Sequence, residues 1–271
     1  MTSSNKKKLL NGIMAVALLV LAGSAYIARE RAQAQSSYEI LSEQRALQLQ
    51  YDDMLDETLS AEASGQAGLS GSDTEPAQTN SVYAYKDNPN AEWLSLNPDF
   101  MGWLKISGTT IDYPFVSSKD NKDYLKRDFN GNYSEAGTLF LDYRNLGNFN
   151  DRHTLIYGHN MKNKTMFHNL TYYRDPDFFS RHLTIELSGL YETRTYNIFS
   201  VYEISADDYA FTLNFSSDDE YLTYLSELEN ASLHRQDLEL TADQRLLTLV
   251  TCSYGVNNGR TIVHALETVN D

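Results

Sequence analysis

Residues 245–267 read RLLTLVTCSYGVNNGRTIVHALE. The runs Arg245–Thr251 and Thr261–Leu266 are rich in β-branched and large apolar residues. Between them, Ser253-Tyr254-Gly255 and Asn257-Asn258-Gly259 are turn formers, so the stretch reads as two strands joined by a loop. Cys252 is the sole cysteine of the chain and closes the first strand. A sheet holds such a residue in place while the adjoining loop exposes its thiol, although a lone cysteine is equally at home as a small buried hydrophobe. Arg260 lies eight residues further on, at the start of the second strand. If the strands are antiparallel neighbours, the loop returns Arg260 beside Cys252, where a guanidinium can stabilise an oxyanion or hold a carbonyl; otherwise it is a surface arginine.

Working outward, similar β-favouring runs recur at Gly102–Ile106, Ile111–Val116, Gly137–Asp142, Thr154–Tyr157, Leu183–Leu187 and Arg194–Ile204. With the last two they predict a barrel or sandwich. A helix is expected over Ser217–Leu233, where Asp218, Asp219 and Glu220 suit the positive end of its dipole. A thiol with the ordinary pKa of about 8.5 is only slightly ionised at neutral pH and needs a nearby histidine or cation to act as a nucleophile. Of six histidines, His159 is best placed, because Leu155-Ile156-Tyr157 reads as a strand and Gly158-His159-Asn160 as the turn leaving it. His153, His168, His182, His234 and His264 sit among charged or helical residues or within strands, where solvated or packed rings are the default.

Residues 9–27, LLNGIMAVALLVLAGSAYI, carry no charge and follow Lys6, Lys7 and Lys8. That pattern predicts a transmembrane anchor with a cytoplasmic N-terminus; Ala32-Gln33-Ala34 offers the competing reading of a cleaved signal peptide. Residues 30–59 lack Gly and Pro and place Ile40, Leu47 and Met54 seven apart. They read as an amphipathic helix, either a weak coiled coil or one lying on the body or the membrane surface. Residues 60–81 turn to Ser, Ala, Gly and Thr, as expected of a flexible tether. The chain of 271 residues is 41% hydrophobic, enough for a sizeable core, and acidic residues outnumber basic ones 37 to 22 for a net charge of -15. A basic nucleic-acid footprint is thereby excluded, and the single cysteine excludes an internal disulfide. Neither zinc-ligand nor calcium-loop spacing occurs, so no metal and no cofactor is expected.

Thr248-Leu249-Val250-Thr251-Cys252 matches the TLxTC signature of sortases, with an arginine on the next strand and a histidine far upstream. The segments GWLKI, IDYPFV, GTLFLDYRN and LIYGHNM resemble class B sortases in particular, over about residues 83–267. The resemblance implies a mainly β fold: a sortase-like eight-stranded β-barrel with N-terminal helices and a helical insert before the cysteine strand, preceded by a transmembrane helix. It divides the chain into a cytoplasmic tail 1–8, an anchor 9–27, a helical stalk and linker 28–81 and a catalytic domain 82–271, placing the enzyme in the cell membrane as a single-pass protein with its catalytic domain outside. It implies a cysteine transpeptidase in which Cys252 forms a thioacyl enzyme with a C-terminal sorting signal, NPxTN-like or LPxTG-like. His159 would act as general acid and base and Arg260 would hold the substrate carbonyl. Tyr157 and Thr251, and with weaker support Ser253 and Tyr254, would line the substrate site. The acceptor would be an amine of a peptidoglycan cross-bridge or of a lipid-linked precursor. Three alternatives stay open: a pilin-polymerising sortase, a surface cysteine protease that hydrolyses the thioester, and a non-enzymatic surface binding domain.

Overall fold

The computed structural model describes residues 3–65, 90–147, 150–207, 210–236, 238–253, 255 and 258–268. All eight β-favouring runs become strands: β1 (Phe100–Ile106), β2 (Asp112–Val116), β3 (Leu139–Leu141), β4 (His153–Tyr157), β5 (Thr184–Ser188), β6 (Thr193–Ser205), β7 (Leu246–Ser253) and β8 (Gly259–Glu267). They close into one barrel in the order β1-β2-β3-β4-β7-β8-β6-β5. The β2/β3 and β4/β7 pairs are parallel. Closure leaves no unpaired sheet edge. The hairpin of β7 and β8 is longer than expected, because Cys252 pairs with Arg260 and Ser253 with Gly259. At the other extreme, the expected strand Gly137–Asp142 shrinks to β3, since Gly137 has φ +60 and cannot lie in an extended run.

Side-chain alternation along β7 separates two environments. Leu247 and Leu249 lie in the barrel interior with Val201, Val263 and Ala265. Leu246 packs outside with Tyr221, Leu225 and Leu228, and Val250 lies in a second outer cluster with Leu155, Phe211, Leu213 and Ile262. Odd-numbered residues of β7 therefore point in and even-numbered ones point out. The 3₁₀ segment Phe167–Arg174 closes one part of the interior with Phe167, Leu170 and Tyr173, all fully buried.

Three short helices accompany the barrel: α2 (Ala91–Leu96), α3 (Pro176–Arg181) and α4 (Asp218–Asn230). Of the three, only α4 is anticipated by its sequence. Its N-cap Ser217 accepts from Glu220 N, while Glu220 Oε2 accepts from Ser216 N at 2.6 Å, a reciprocal cap that explains where the helix starts. In α3, Asp175 accepts from the backbone N–H of Asp177 and Phe178 and Pro176 fills the first turn.

The N-terminal helix α1 runs without a break from Ser3 to Gly65. It thus extends into the region expected to be a tether, while the rest of that tether, residues 66–81, lies outside the described residues. It rests on the barrel through a face beside the heptad positions. Ile40, Leu47 and Met54 are exposed, whereas Tyr38, Leu41 and Arg45 are buried. Tyr38 donates to Gly137 O at 2.6 Å, and the Arg45 guanidinium sits 5.0 Å above the Trp103 ring.

The expected single-pass anchor and cell-membrane location are corrected. Among the described residues, no helix is long and apolar enough to cross a membrane. Within the run 9–27, side chains are described only for Ala17 and Leu19–Tyr26.

Candidate active site

Because Cys252 is even-numbered, its side chain projects from the outer face of β7, and the cross-strand register places Arg260 directly opposite on β8. The hairpin thus delivers the guanidinium to the neighbourhood of the thiol, as its length and turn residues suggest. Arg260 Nη1 donates to Gly259 O at 2.9 Å, which holds the arginine against its own strand and leaves it partly exposed. Cys252 is itself partly exposed. Val250, Ile262, Leu155 and the inward side of the 210–213 segment form an apolar floor and wall next to these two residues, with Tyr157, Tyr202 and Ile204 packed at its margin.

His159 lies two residues beyond the end of β4, which runs parallel to β7. Gly158 N donates to Val250 O at 3.1 Å, so the ladder continues past Tyr157. A Cβ at Gly158 would collide with Leu139 and Phe167, so only glycine lets the chain turn this close to the barrel wall. Two side chains then extend the contact: Thr251 Oγ1 donates to Gly158 O at 2.8 Å, and Asn160 Nδ2 donates to Cys252 O at 2.8 Å. These bonds hold the His159 turn against the end of β7. The imidazole makes its hydrogen bond to Leu125 O, with Nε2 at 2.7 Å. In the neutral ring this carbonyl keeps the proton on Nε2 and leaves Nδ1 to exchange protons.

The four residues expected to line a substrate site separate. Tyr157 stands on the outer side, stacked on Phe140 at 5.5 Å and donating to Asp142 Oδ2 at 2.9 Å. Thr251 and Ser253 are odd-numbered and buried; Ser253 Oγ donates to Glu203 Oε1 at 2.6 Å inside the barrel mouth. Both therefore face away from the thiol. Tyr254 lies outside the described residues.

Several residues not singled out in the sequence support the site. Asp142 is buried. Burial works against its ionisation, but donors from Arg144, Tyr157 and Asn121 outweigh it and hold the carboxyl below its usual range. Arg144 binds it bidentately, Nε to Oδ1 at 2.7 Å and Nη2 to Oδ2 at 2.9 Å. On the outer face a buried chain also runs across four strands, β4, β7, β8 and β6. His153 Nδ1 meets Thr212 O at 2.7 Å, and His153 Nε2 and His264 Nδ1 each meet Thr248 Oγ1 at 2.7 Å. His264 Nε2 meets Tyr202 OH at 3.0 Å. Burial pushes His153 down to about 4 and His264 well below its ordinary value. Both rings are consequently neutral, and the acceptor Thr212 O fixes every proton in turn. Nδ1–H of His153 donates to the carbonyl, Thr248 donates to His153, His264 donates to Thr248, and Tyr202 donates to His264. Such bonds involve partners distant in sequence, so nothing local marks them. Among the described residues, no group of His, Cys, Asp and Glu is arranged to hold a metal ion.

A partly exposed thiol, a cross-strand guanidinium and a nearby imidazole on the outside of a closed β-barrel, beside a packed apolar cluster, are the parts of a cysteine acyl-transfer enzyme. Comparison with known proteins makes the class definite. Residues 104–268 match the sortase domain family. The chain is 36% identical over 179 residues to sortase B of Listeria monocytogenes, covering 66% of this chain and 73% of that protein. It resembles the X-ray structure of Clostridium perfringens sortase B at TM-score 0.64 and 37% identity, covering 66% of this chain and 100% of that one. The Staphylococcus aureus sortase B–substrate complex is similar at TM-score 0.62 and 32% identity, covering 68% and 86%. The chain belongs to the sortase family, and within it to the sortase B group: it is a cysteine transpeptidase of surface-protein sorting.

Proposed function

We propose that the enzyme cleaves a C-terminal sorting signal of NPxTN-like or LPxTG-like sequence and transfers the protein to an amine of the peptidoglycan cross-bridge or of its lipid-linked precursor. Cys252 Sγ attacks the threonine carbonyl, breaking the following peptide bond and forming a thioester. His159 takes the thiol proton, gives it to the departing amine, and later takes one from the incoming amine and returns it to the departing thiolate. Arg260 holds the carbonyl oxygen as negative charge develops on it. The observation that carries this reading is the direct Cys252–Arg260 cross-strand pair on the outer face of the barrel. The Staphylococcus aureus relative, described with a substrate, supports a peptide-binding site on the same fold. Tyr157, partly exposed at the margin of the apolar cluster beside Cys252, is the residue most suited to contact the peptide.

The reading is tested with fluorogenic sorting peptides and triglycine as acceptor, products being identified by mass. Wild-type protein should give the triglycine adduct, and Cys252→Ala should give no cleavage. Undiminished turnover by Cys252→Ala would refute the enzyme assignment to this thiol; free acid alone at saturating triglycine would favour hydrolysis over transfer.

A further inference from the structure

We propose that Asn160, the residue next to His159, is a positioning residue that locks the backbone of Cys252 to the His159 turn. This inference rests on the roles given above to Cys252 and His159. The geometric need arises because β4 ends at Tyr157 while β7 continues to Ser253. In this part of β7 the carbonyls of Val250 and Cys252 point toward β4. The first still finds a backbone donor, Gly158 N at 3.1 Å, but the second lies beyond the end of the partner strand. Asn160 Nδ2 replaces the missing backbone donor at 2.8 Å. A buried carbonyl left without a donor is costly, and at a reacting residue it would also free the peptide to rotate.

The asparagine is itself held. His168 Nδ1 lies 2.7 Å from Asn160 Oδ1, and His168 Nε2 lies 3.2 Å from Tyr172 OH. Since the amide nitrogen is engaged by an acceptor carbonyl, its oxygen must face His168, which therefore donates from Nδ1. Burial and the Lys164 charge lower the pKa of His168, favouring the neutral ring, so that Nε2 accepts from Tyr172. His168 and Tyr172 both belong to the 3₁₀ segment that closes the barrel interior, a rigid base for the chain of bonds. Asn160 thus links three things: the turn carrying the proposed acid and base, the strand carrying the nucleophile, and the packed plug of the barrel.

The test uses the full chain with Asn160→Ala and Asn160→Asp, the second nearly isosteric but unable to donate to the carbonyl. Two readouts are taken on protein whose folding is verified by circular dichroism. In peptide cleavage, kcat should fall on the order of 10²-fold with KM changed by less than about threefold, because misplacement of reacting groups is felt mainly in the chemical step. Independently, the pH profile of Cys252 alkylation by iodoacetamide should be displaced from the wild-type profile in both variants. Packing alone would lower the melting temperature and leave this profile in place. An alkylation profile superimposable on wild type in the folded Asn160→Asp protein would overturn the proposal, whatever the kcat. Absence of peptide cleavage by wild type would instead count against the proposed function, and the alkylation comparison would still decide the role of Asn160.

Discussion

Thr248 shows how a residue of the cysteine strand can be tied to stability rather than to reaction. It joins His153 and His264 in a buried chain whose direction is set by Thr212 O, and its hydroxyl both donates and accepts. Protonating either ring would put a charge into a fully buried site and reverse the order of these bonds, and burial is the main reason both stay neutral. The consequence for pH has a definite sign. The unfolded chain takes up protons on these histidines near pH 6.5, whereas folded His153 does so only near 4. Between those values the unfolded state binds more protons, so stability falls as pH drops through this window and is restored above it, by about 1.4 kcal/mol per pH unit for each histidine. Arg144 reinforces the low value and Asp142 opposes it. Urea midpoints should therefore decline steadily from pH 7 to pH 4.5, and His153→Gln should flatten part of that slope. Equal slopes for the two proteins would show that the ring does not resist protonation.

Among the elements, α1 presents two apolar stripes and uses only one. Tyr38 and Leu41 are buried against the barrel with Arg45, and Tyr38 also meets the Tyr113 ring edge-on at 5.5 Å. Its hydroxyl joins Gly137 O, adjacent to the turn that holds Leu125. Removing that hydroxyl leaves a buried acceptor with one fewer donor, which costs about 1 kcal/mol. Leu41→Ala deletes buried methyls at an interface that can partly relax and is expected near the lower end of the roughly 2–5 kcal/mol range for core leucines. By contrast, Ile40→Ser and Leu47→Ser should change stability by less than about 0.5 kcal/mol, because both side chains already face solvent. Chemical denaturation of the four variants settles which stripe docks; a larger loss from Ile40→Ser than from Leu41→Ala would reverse the assignment.

At the scale of the whole molecule, parity along the barrel strands decides which side chains fill the interior and which lie on the outer face. The strands themselves are legible in the sequence because β-branched runs and turn formers are local signals. The Cys252–Arg260 pair is legible for the same reason, lying within one hairpin. Parity is not: Thr251 and Ser253 look like natural neighbours of a catalytic cysteine, yet adjacency along a strand means opposite faces. Asn160, Asp142 and the two buried histidines are equally hidden, since each draws its meaning from partners brought close only by barrel closure. The docking stripe of α1 is not legible, because an apolar heptad says nothing about what the helix meets. A direct test of the two-face arrangement compares Phe211→Ala with Leu247→Ala. Phe211 belongs to the outer cluster beside Cys252, and Leu247 to the barrel interior. Leu247→Ala should cost about 2–5 kcal/mol of stability and leave KM for the sorting peptide unchanged at temperatures where the variant is folded. Phe211→Ala should raise KM several-fold, because the apolar cluster under Val250 and Ile262, the same-face neighbours of Cys252 and Arg260, loosens while the interior stays packed. If Leu247→Ala raised KM and Phe211→Ala left it unchanged, the peptide would have to bind through the barrel mouth rather than on the outer face, on the side where Ser253 meets Glu203.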